Sequence, residues 1–200
     1  MNSAPLWAVE HKQGPETLLA IEPTAAELRQ AAPALAAFYN DDHNRRMMGH
    51  RAEPLTADDV VAVYEDLRAQ EGRPFLLYRD GALMGDADFR NPDGDTGEFA
   101  IMIGGRAEQG RGLGTRFGRM LHVFGFRRLG LARIYISVIP ANTASRRLFQ
   151  KLGYQVDQSA EAREFADEET DIVMSLAHDT FDRAPGVDLT GIRVFQRPAS

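Results

Sequence analysis

The sequence predicts an α/β (α+β) fold, a single domain with a mixed, mostly antiparallel sheet of about seven strands and helices on both faces. Three observations support this prediction. Two helix starts carry capping boxes, at Thr24 and at Thr56. Asp80-Gly81 joins two apolar runs as a tight hairpin turn, and the apolar run 99–103 leads through a glycine loop into a helical pattern. A chain of 200 residues is long enough to bury one core of this kind.

The first half of the chain is predicted as one strand, two helices and three antiparallel strands. The first strand covers about residues 17–22, and the helix after it contains Pro33, which predicts a kink or a split into two short helices. The antiparallel strands are a hairpin over 75–89 and a strand over about 97–103. Residues 1–16 lack periodicity and are predicted as an N-terminal arm that is either loose or packed late.

The second half is predicted as two helices separated by a strand, followed by two more strands. The helix after the glycine loop has an apolar stripe, the strand covers 133–138, and the second helix, about 142–152, ends at Gly153. The acidic run 161–169 is interpreted as a solvated loop between the last two strands. The predicted organisation is therefore an N-terminal arm, 1–16, a domain, 17–176, and a C-terminal extension, 177–200.

The composition is that of a globular protein, with 44% hydrophobic and 26% charged residues. Because the sequence has neither an apolar run of about 18 residues nor a signal-peptide pattern, we expect a cytoplasmic protein without a membrane partner. A formal net charge of −6 disfavours nucleic acid as a partner and favours cationic ligands. The sequence has no cysteine, and its five histidines lack ligand spacing, so we expect neither a disulfide nor a metal site.

A glycine-rich loop at 109–115, with the sequence QGRGLGT, joins an apolar strand to a helix. Its glycines permit left-handed backbone and leave amides uncovered, and a helix N-terminus attracts anions, so the loop predicts a pyrophosphate site. A flexible turn is the simpler alternative. The G-x-G-x-x-G dinucleotide fingerprint does not fit, because Thr115 stands where the third glycine is required, and no G-x-x-x-x-G-K-[ST] loop occurs.

Two motifs around this loop carry a family resemblance. Gln109, Gly112 and Gly114 match the pattern Q/R-x-x-G-x-G/A, and residues 142–154 match N-x-x-A-x-x-L-Y-x-K-L-G-F with three substitutions. Both patterns resemble signatures of the GNAT superfamily of acyl-CoA-dependent N-acyltransferases. The strand text EFAIMIG at 98–104 resembles the branch that acetylates ribosomal-protein N-termini, polyamines and aminoglycosides. The resemblance covers about the whole predicted domain.

The resemblance implies that acetyl-CoA enters between a splayed pair of strands, the fourth and fifth of the family's sheet. The acetyl group would move to a primary amine by direct attack in a ternary complex, with a main-chain N–H near Met102 or Ile103 polarising the thioester carbonyl. Asn142 also suits a simple helix N-cap. The positions to which the resemblance assigns cofactor contacts are Met102, Ile103, Gln109, Gly110, Arg111, Gly112, Leu113, Gly114, Thr115, Asn142, Ser145 and Phe149.

Two catalytic residues are predicted, Glu98 and Tyr154. Glu98 precedes an apolar strand, and in this branch a glutamate there faces the acceptor amine, so it is the candidate base; a salt-bridged glutamate at a strand end is the alternative. Phe149 stands where many members carry a tyrosine that protonates the leaving thiolate. Tyr154 is the candidate substitute, with Tyr135 and Ser145 as alternatives.

The acceptor is predicted to be a small cationic amine or a peptide N-terminus. Asp41, Asp42 and Asp86 lie in segments that flank the acceptor cleft in relatives, although carboxylates in turns need no such function. A non-catalytic acyl-CoA sensor is the alternative, since Phe149 cannot donate a proton, and a nucleotide-binding module is a third. The segment 190–196 is either an edge strand or an arm onto a partner, and its apolar pattern is compatible with a homodimer.

Overall fold

The computed structural model describes residues 5–49, 53–183 and 189–198 of the chain. Within them, the strands are β1 (Leu6–Gln13), β2 (Glu16–Ile21), β3 (Arg73–Arg79), β4 (Ala82–Asp93), β5 (Thr96–Ile103), β6 (Arg133–Val138), β7 (Gln155–Val156), β8 (Ile172–Ala177) and β9 (Ile192–Arg197). The helices are α1 (Ala25–Asn40), α2 (Asp42–Met47), α3 (Ala57–Ala69), α4 (Leu113–Arg127), α5 (Thr143–Leu152), α6 (Ala160–Arg163) and α7 (His178–Arg183).

The strands form one sheet in the order β7-β8-β6-β5-β4-β3-β2-β1-β9. All neighbouring strands are antiparallel except β5 and β6, which are parallel and pair only between residues 96–98 and 133–135. Beyond these residues β5 and β6 no longer pair with each other, although each stays paired with its other neighbour, β4 or β8. The sheet therefore opens into a gap at the carboxyl ends of β5 and β6. The predicted mixed, mostly antiparallel sheet is confirmed, with nine strands in the described residues instead of about seven.

The two extra strands come from the segments outside the predicted domain. Residues 6–13 are not an arm: they form β1, which pairs with β2 on one side and with β9 on the other. Of the two alternatives for 190–196, the edge strand is the one observed. Of the two alternatives for the arm, loose or packed late, a loose arm is wrong for these residues. The strand was not recognised because its apolar residues end at Val9 and are followed by Glu10, His11 and Lys12, so that the run is short.

Helices cover both faces of the sheet and create three apolar clusters. On one face α4 and α5 bury the main core, with Phe117, Phe124 and Phe149 among its members. On the other face α1 and α3 cover β2 and β3, while α6 covers a small cluster around Tyr135 of β6. The second and third clusters share a face but lie at opposite sides of the gap, and the strip of β4 and β5 between them carries polar side chains.

The helix boundaries follow the local signals closely. Both predicted capping boxes are formed, at Thr24 and at Thr56, and α5 ends on Gly153 at φ +104°. Of the two alternatives predicted at Pro33, the split into two short helices is not observed, because α1 continues through it from Ala25 to Asn40. Among the described helices, none combines the length and the apolar character required to cross a bilayer.

Candidate active site

The gap between β5 and β6 leaves main-chain amides of β5 without a strand partner. Gly104 N donates to Met84 O at 2.8 Å, and the alternation of an antiparallel ladder then directs the N–H of Met102 toward β4. The N–H groups of Ile101 and Ile103 point the other way, into the gap. Of the two residues predicted to polarise a thioester, Ile103 therefore has the suitable backbone direction.

The glycine loop presents uncovered amides at the start of α4. Gly110 and Gly112 have φ of +75° and +80°, and a Cβ built on either would meet no atom within 4 Å. Gly112 is the N-cap of α4 and provides no side-chain cap, which leaves the first-turn amides of Leu113, Gly114 and Thr115 available to an anion. Arg111 is exposed beside them, and this arrangement fits a pyrophosphate.

Gly114 has a different role from the other two glycines. A Cβ at Gly114 would lie 2.6 Å from Leu148 Cδ1, so the missing side chain allows α5 to pack on α4. Arg116, in the first turn of α4, is paired with Glu16 of β2. The third glycine of the motif thus serves helix packing.

Gln109 is occupied by the protein itself. Its Nε2 donates to Ile103 O at 2.7 Å and to Asn44 Oδ1 at 2.8 Å. Asn44, buried in α2, donates in turn to Gly104 O and to Phe38 O. The Gln109 side chain thus forms a brace that ties α2 to the end of β5, while a cofactor contact by this residue stays a prediction.

Asn142 connects α2 to the opposite side of the gap. Its Oδ1 accepts from Ser145 N at 3.0 Å, the N-cap role, and its Nδ2 donates to Met47 O at 2.9 Å. α2 therefore contacts both sides of the gap, the end of β5 through Asn44 and the start of α5 through Met47.

Two of the predicted acceptor residues have local roles in α2. Asp41 is its N-cap and accepts from the amides of His43 and Asn44, while Asp42 is exposed in its first turn. Asp86 is the one of the three predicted carboxylates that lies on the polar strip of β4 and β5.

Phe149 and Tyr154 lie in the main core, both 3% exposed, with their rings 5.2 Å apart. The Tyr154 hydroxyl is 2.6 Å from His122 Nε2, and His122 Nδ1 is 2.7 Å from Gly118 O. Burial lowers the pKa of His122 to about 4 and raises that of Tyr154 well above its ordinary value. His122 is thus neutral with its proton on Nδ1, Tyr154 donates to it, and this hydroxyl does not face the gap.

The polar strip carries three carboxylates on neighbouring strands, Asp86 and Asp88 on β4 and Glu98 on β5. Asp86 is buried and accepts from two hydroxyls, Tyr39 at 2.5 Å and Tyr64 at 3.1 Å. Asp88 Oδ1 is buried without a hydrogen-bond partner among the described residues, at 3.5 Å from Arg90 Nε.

Glu98 is 2% exposed and is held at both oxygens. Arg90 Nη2 lies 3.2 Å from Oε1, and Asn91 Nδ2 donates to Oε2 at 2.9 Å. Both contacts reach Glu98 from the end of β4, which pairs with β5 through Arg90 opposite Glu98.

The pKa of each of the three carboxyl groups in the strip is raised. Burial is the largest cause in each case, and it raises the pKa of Asp86 and Glu98 to about 7 and that of Asp88 to about 6. Arg90 lowers the pKa of Asp88 and Glu98, while Asp167, in the loop after α6, raises both. Asp86 and Glu98 are therefore only partly ionised near pH 7, and a bound cation would favour the ionised forms of the strip.

The family of the chain follows from a profile comparison. The profile described as "Acetyltransferase (GNAT) domain" matches residues 22–155, which is more than half of the chain. The chain belongs to the GNAT acetyltransferase family. The assignment predicted from the two motifs is confirmed.

Individual relatives agree with the assignment. A mycothiol acetyltransferase from Beutenbergia cavernae is 31% identical over 124 residues, which are 57% of this chain and 41% of that protein. The chain thus spans about two fifths of the length of this curated relative.

Among solved structures, aminoglycoside acetyltransferase AAC(6')-Ib in complex with coenzyme A has a TM-score of 0.69 at 18% identity, covering 84% of this chain and 98% of that one. Mycobacterium smegmatis RimJ in complex with CoA-disulfide has a TM-score of 0.68 at 16% identity, with coverages of 86% and 88%. At these identities the likeness concerns the fold, which confirms the predicted GNAT architecture.

Sequence reasoning missed four side chains of this GNAT site: Tyr39, Tyr64, Arg90 and Asn91. A signal for Arg90 was present, because the run Asp86-Ala-Asp-Phe-Arg90 alternates charged and apolar residues and so places three charges on one face of a strand. The two tyrosines come from α1 and α3, and nothing local in the sequence connects them with Asp86.

Proposed function

We propose that this chain transfers the acetyl group of acetyl-CoA to a primary amine of a small cationic acceptor, by direct attack in a ternary complex. The observation that carries the proposal is the strip of Asp86, Asp88 and Glu98 beside the gap in the sheet. The GNAT fold provides a site for the acetyl-CoA donor at the gap. The strip provides carboxylates for an ammonium group, on the face of the sheet opposite to α4 and α5.

The donor site is supported by uncovered backbone amides. The amides of Leu113, Gly114 and Thr115 suit the pyrophosphate, with Arg111 beside them. The N–H of Ile103 is directed into the gap, where it would receive the thioester carbonyl and stabilise the oxyanion that develops there. The solved neighbours AAC(6')-Ib and RimJ contain coenzyme A and CoA-disulfide, respectively, and we propose a ligand of the same kind for this chain.

Glu98 is proposed as the base that takes a proton from the acceptor ammonium, directly or through water. Its pKa of about 7 leaves a large ionised fraction at neutral pH and matches the task of a proton acceptor. The freed amine lone pair then forms the C–N bond, the C–S bond breaks, and coenzyme A leaves as a thiolate. The surplus proton on the acylated nitrogen passes to this thiolate or to water, which leaves the neutral amide. Because Phe149 and Tyr154 lie in the core, we assign no side-chain acid to this last step.

The acceptor proposal favours amines with more than one positive charge over peptide N-termini. Asp88 Oδ1 is a buried acceptor without a hydrogen bond, and a second ammonium group would supply one. Asp86 adds a further carboxylate on the same strand. Solved neighbours include an aminoglycoside acetyltransferase and a spermidine N-acetyltransferase chimera, so their acceptors are the first to try.

The test is release of free thiol from acetyl-CoA by the purified protein against polyamines, aminoglycosides and peptide N-termini. We expect release with a polycationic amine, and a loss of about 10²–10⁴-fold in kcat in Glu98→Gln with acetyl-CoA affinity unchanged by calorimetry. Asp179→Asn, a change at an exposed carboxylate of α7 that pairs with Arg183, is the matched control and retains most of the activity. Acetyl-CoA binding without release across the panel would favour the non-catalytic sensor, and no binding would refute the donor site.

A further inference from the structure

Arg90 and Asn91 are consecutive residues at the irregular end of β4, and both contact the same carboxylate of β5. Asn91 has φ of +50°, a left-handed conformation that is uncommon for a residue other than glycine. It lies beside the point where the β4–β5 register shifts, between Arg90 and Asp93. This local irregularity lets two neighbouring side chains reach one partner, with Arg90 on Oε1 and Asn91 on Oε2 of Glu98.

We infer that Arg90 and Asn91 are positioning residues of the transfer reaction, which hold Glu98 in one orientation and keep it ionised, with Arg90 carrying the larger share. The inference rests on the proposed function, because it requires Glu98 to be the proton acceptor. Neither residue needs to touch the substrate, since each acts through Glu98.

The surroundings of Glu98 explain why such a pair is needed. Asp88 of β4 and Asp167 of the loop after α6 both raise its pKa, in addition to burial, while Tyr135 of β6 lies in register with it. Arg90 is the largest influence in the opposite direction, and the Asn91 amide adds a smaller one. A buried carboxylate between two others favours its neutral form, and a neutral Glu98 cannot accept a proton.

Arg90→Met tests the charge while keeping a side chain of similar length. We expect the acid limb of the kcat/KM pH profile to move upward by about 1 pH unit or more, the usual effect of an opposite charge at this distance. At pH 7 activity falls roughly fivefold or more, and it recovers by about pH 9, where Glu98 is ionised again. Recovery at high pH is the readout that a purely structural defect would not produce.

Asn91→Gly tests the amide. Glycine adopts φ of +50° without strain, so the variant keeps the backbone and removes the donor. The expected shift of the acid limb has the same sign as in Arg90→Met and is smaller. Arg127→Met removes an exposed arginine that pairs with Asp182, far from the strip in the fold, and serves as the matched control with an unmoved limb.

A direct titration separates this inference from the proposed function. The carboxyl carbons of the glutamates are labelled with ¹³C, the Glu98 signal is assigned by its loss in Glu98→Gln, and its pKa is measured without any substrate. A higher pKa in Arg90→Met than in the unaltered chain supports the inference even if the acceptor is unidentified. Equal values in the two proteins, or an unmoved acid limb, would overturn it.

Discussion

At the scale of single residues, the burial of Asp88 lowers stability near neutral pH and leaves a carboxylate oxygen for the proposed acceptor. Its Oδ1 is buried without a hydrogen bond, and burial raises its pKa from 3.8 to about 6. A carboxyl group with a raised folded pKa favours folding in its neutral form. The contribution is therefore fully present below pH 3.8 and is lost as the pH rises through about 6.

Asp88→Asn is predicted to stabilise the protein and to weaken acceptor binding. The variant cannot ionise, so at pH 8 its free energy of unfolding should exceed that of the unaltered chain by roughly 1–3 kcal/mol, with little difference at pH 3.5. Urea unfolding at both pH values measures this. A Michaelis constant for a polycationic acceptor that stays the same would contradict the binding role.

Residues of the site were predictable where the sequence gives a local signal. Glu98 and Asp86 are charged residues inside apolar strands, and the glycine loop is defined by its own spacing. The partners that set their ionisation were not predictable in the same way: Asp86 meets Tyr39 and Tyr64 through contacts 47 and 22 residues apart. Such pairs depend on register and helix placement, which no short pattern encodes.

At the scale of elements, the contact of α4 with α5 depends on small residues at their interface. Cβ atoms at Gly114 and Gly118 would lie 2.6 Å from Leu148 Cδ1 and 2.7 Å from Leu152 Cδ1. The two helices bring the uncovered amides of α4 and the start of α5 to the same end of the sheet. The spacing of these helices therefore determines the geometry of the donor site.

Gly114→Ala is predicted to destabilise the fold by at most about 1 kcal/mol, because the added methyl group displaces the flexible end of the Leu148 side chain while alanine favours the helix. Leu148→Ala in the same chain makes room for it, so the double variant should show a coupling energy of about 0.5–3 kcal/mol by chemical unfolding. In Gly110→Ala the new methyl group meets no neighbouring atom, but the residue keeps a positive φ. This variant therefore measures the cost of backbone strain without a collision. Additive effects of the two substitutions would refute the packing role.

Elements were predictable wherever a boundary has its own chemistry. The capping boxes at Thr24 and Thr56 and the glycine after α5 are such cases. Pro33 does not split α1, because the helix buries Leu28 and Leu35 against the sheet, and this packing outweighs one missing hydrogen bond. β1 was missed because its pairing with β9 joins segments from the two ends of the sequence.

At the scale of the whole molecule, one edge of the sheet holds a helix in place, while the proposed donor site lies at the gap. β9 and β1 form one side of the sheet, and the gap between β5 and β6 lies several strands away. Arg197 of β9 pairs with Glu27 of α1 and donates to Glu22 O, which fastens this side of the sheet to a helix. This edge of the sheet thus contributes to stability and lies apart from the gap in the strand order.

Ending the chain after Arg183 is predicted to lower the melting temperature while acetyl-CoA affinity stays within about twofold, because β9 pairs with β1 at the edge of the sheet and not with a strand that borders the gap. Differential scanning calorimetry and isothermal titration calorimetry make the two measurements. Arg197→Met in the full chain should give a smaller loss of stability of the same sign. A large loss of affinity in a shortened chain that still folds cooperatively would contradict the separation.

The position of α2 has a consequence for how the proposed donor and acceptor sites affect each other. This helix follows Tyr39 after two residues and contacts both sides of the gap, through Asn44 and through Met47. Under the proposed function, a donor that accepted a hydrogen bond from Asn142 Nδ2 in place of Met47 O would release one of the contacts that hold this helix, and with it would affect the position of the tyrosine on Asp86. Thermodynamic linkage then requires acetyl-CoA to change the affinity for the amine by the same factor as the amine changes the affinity for acetyl-CoA.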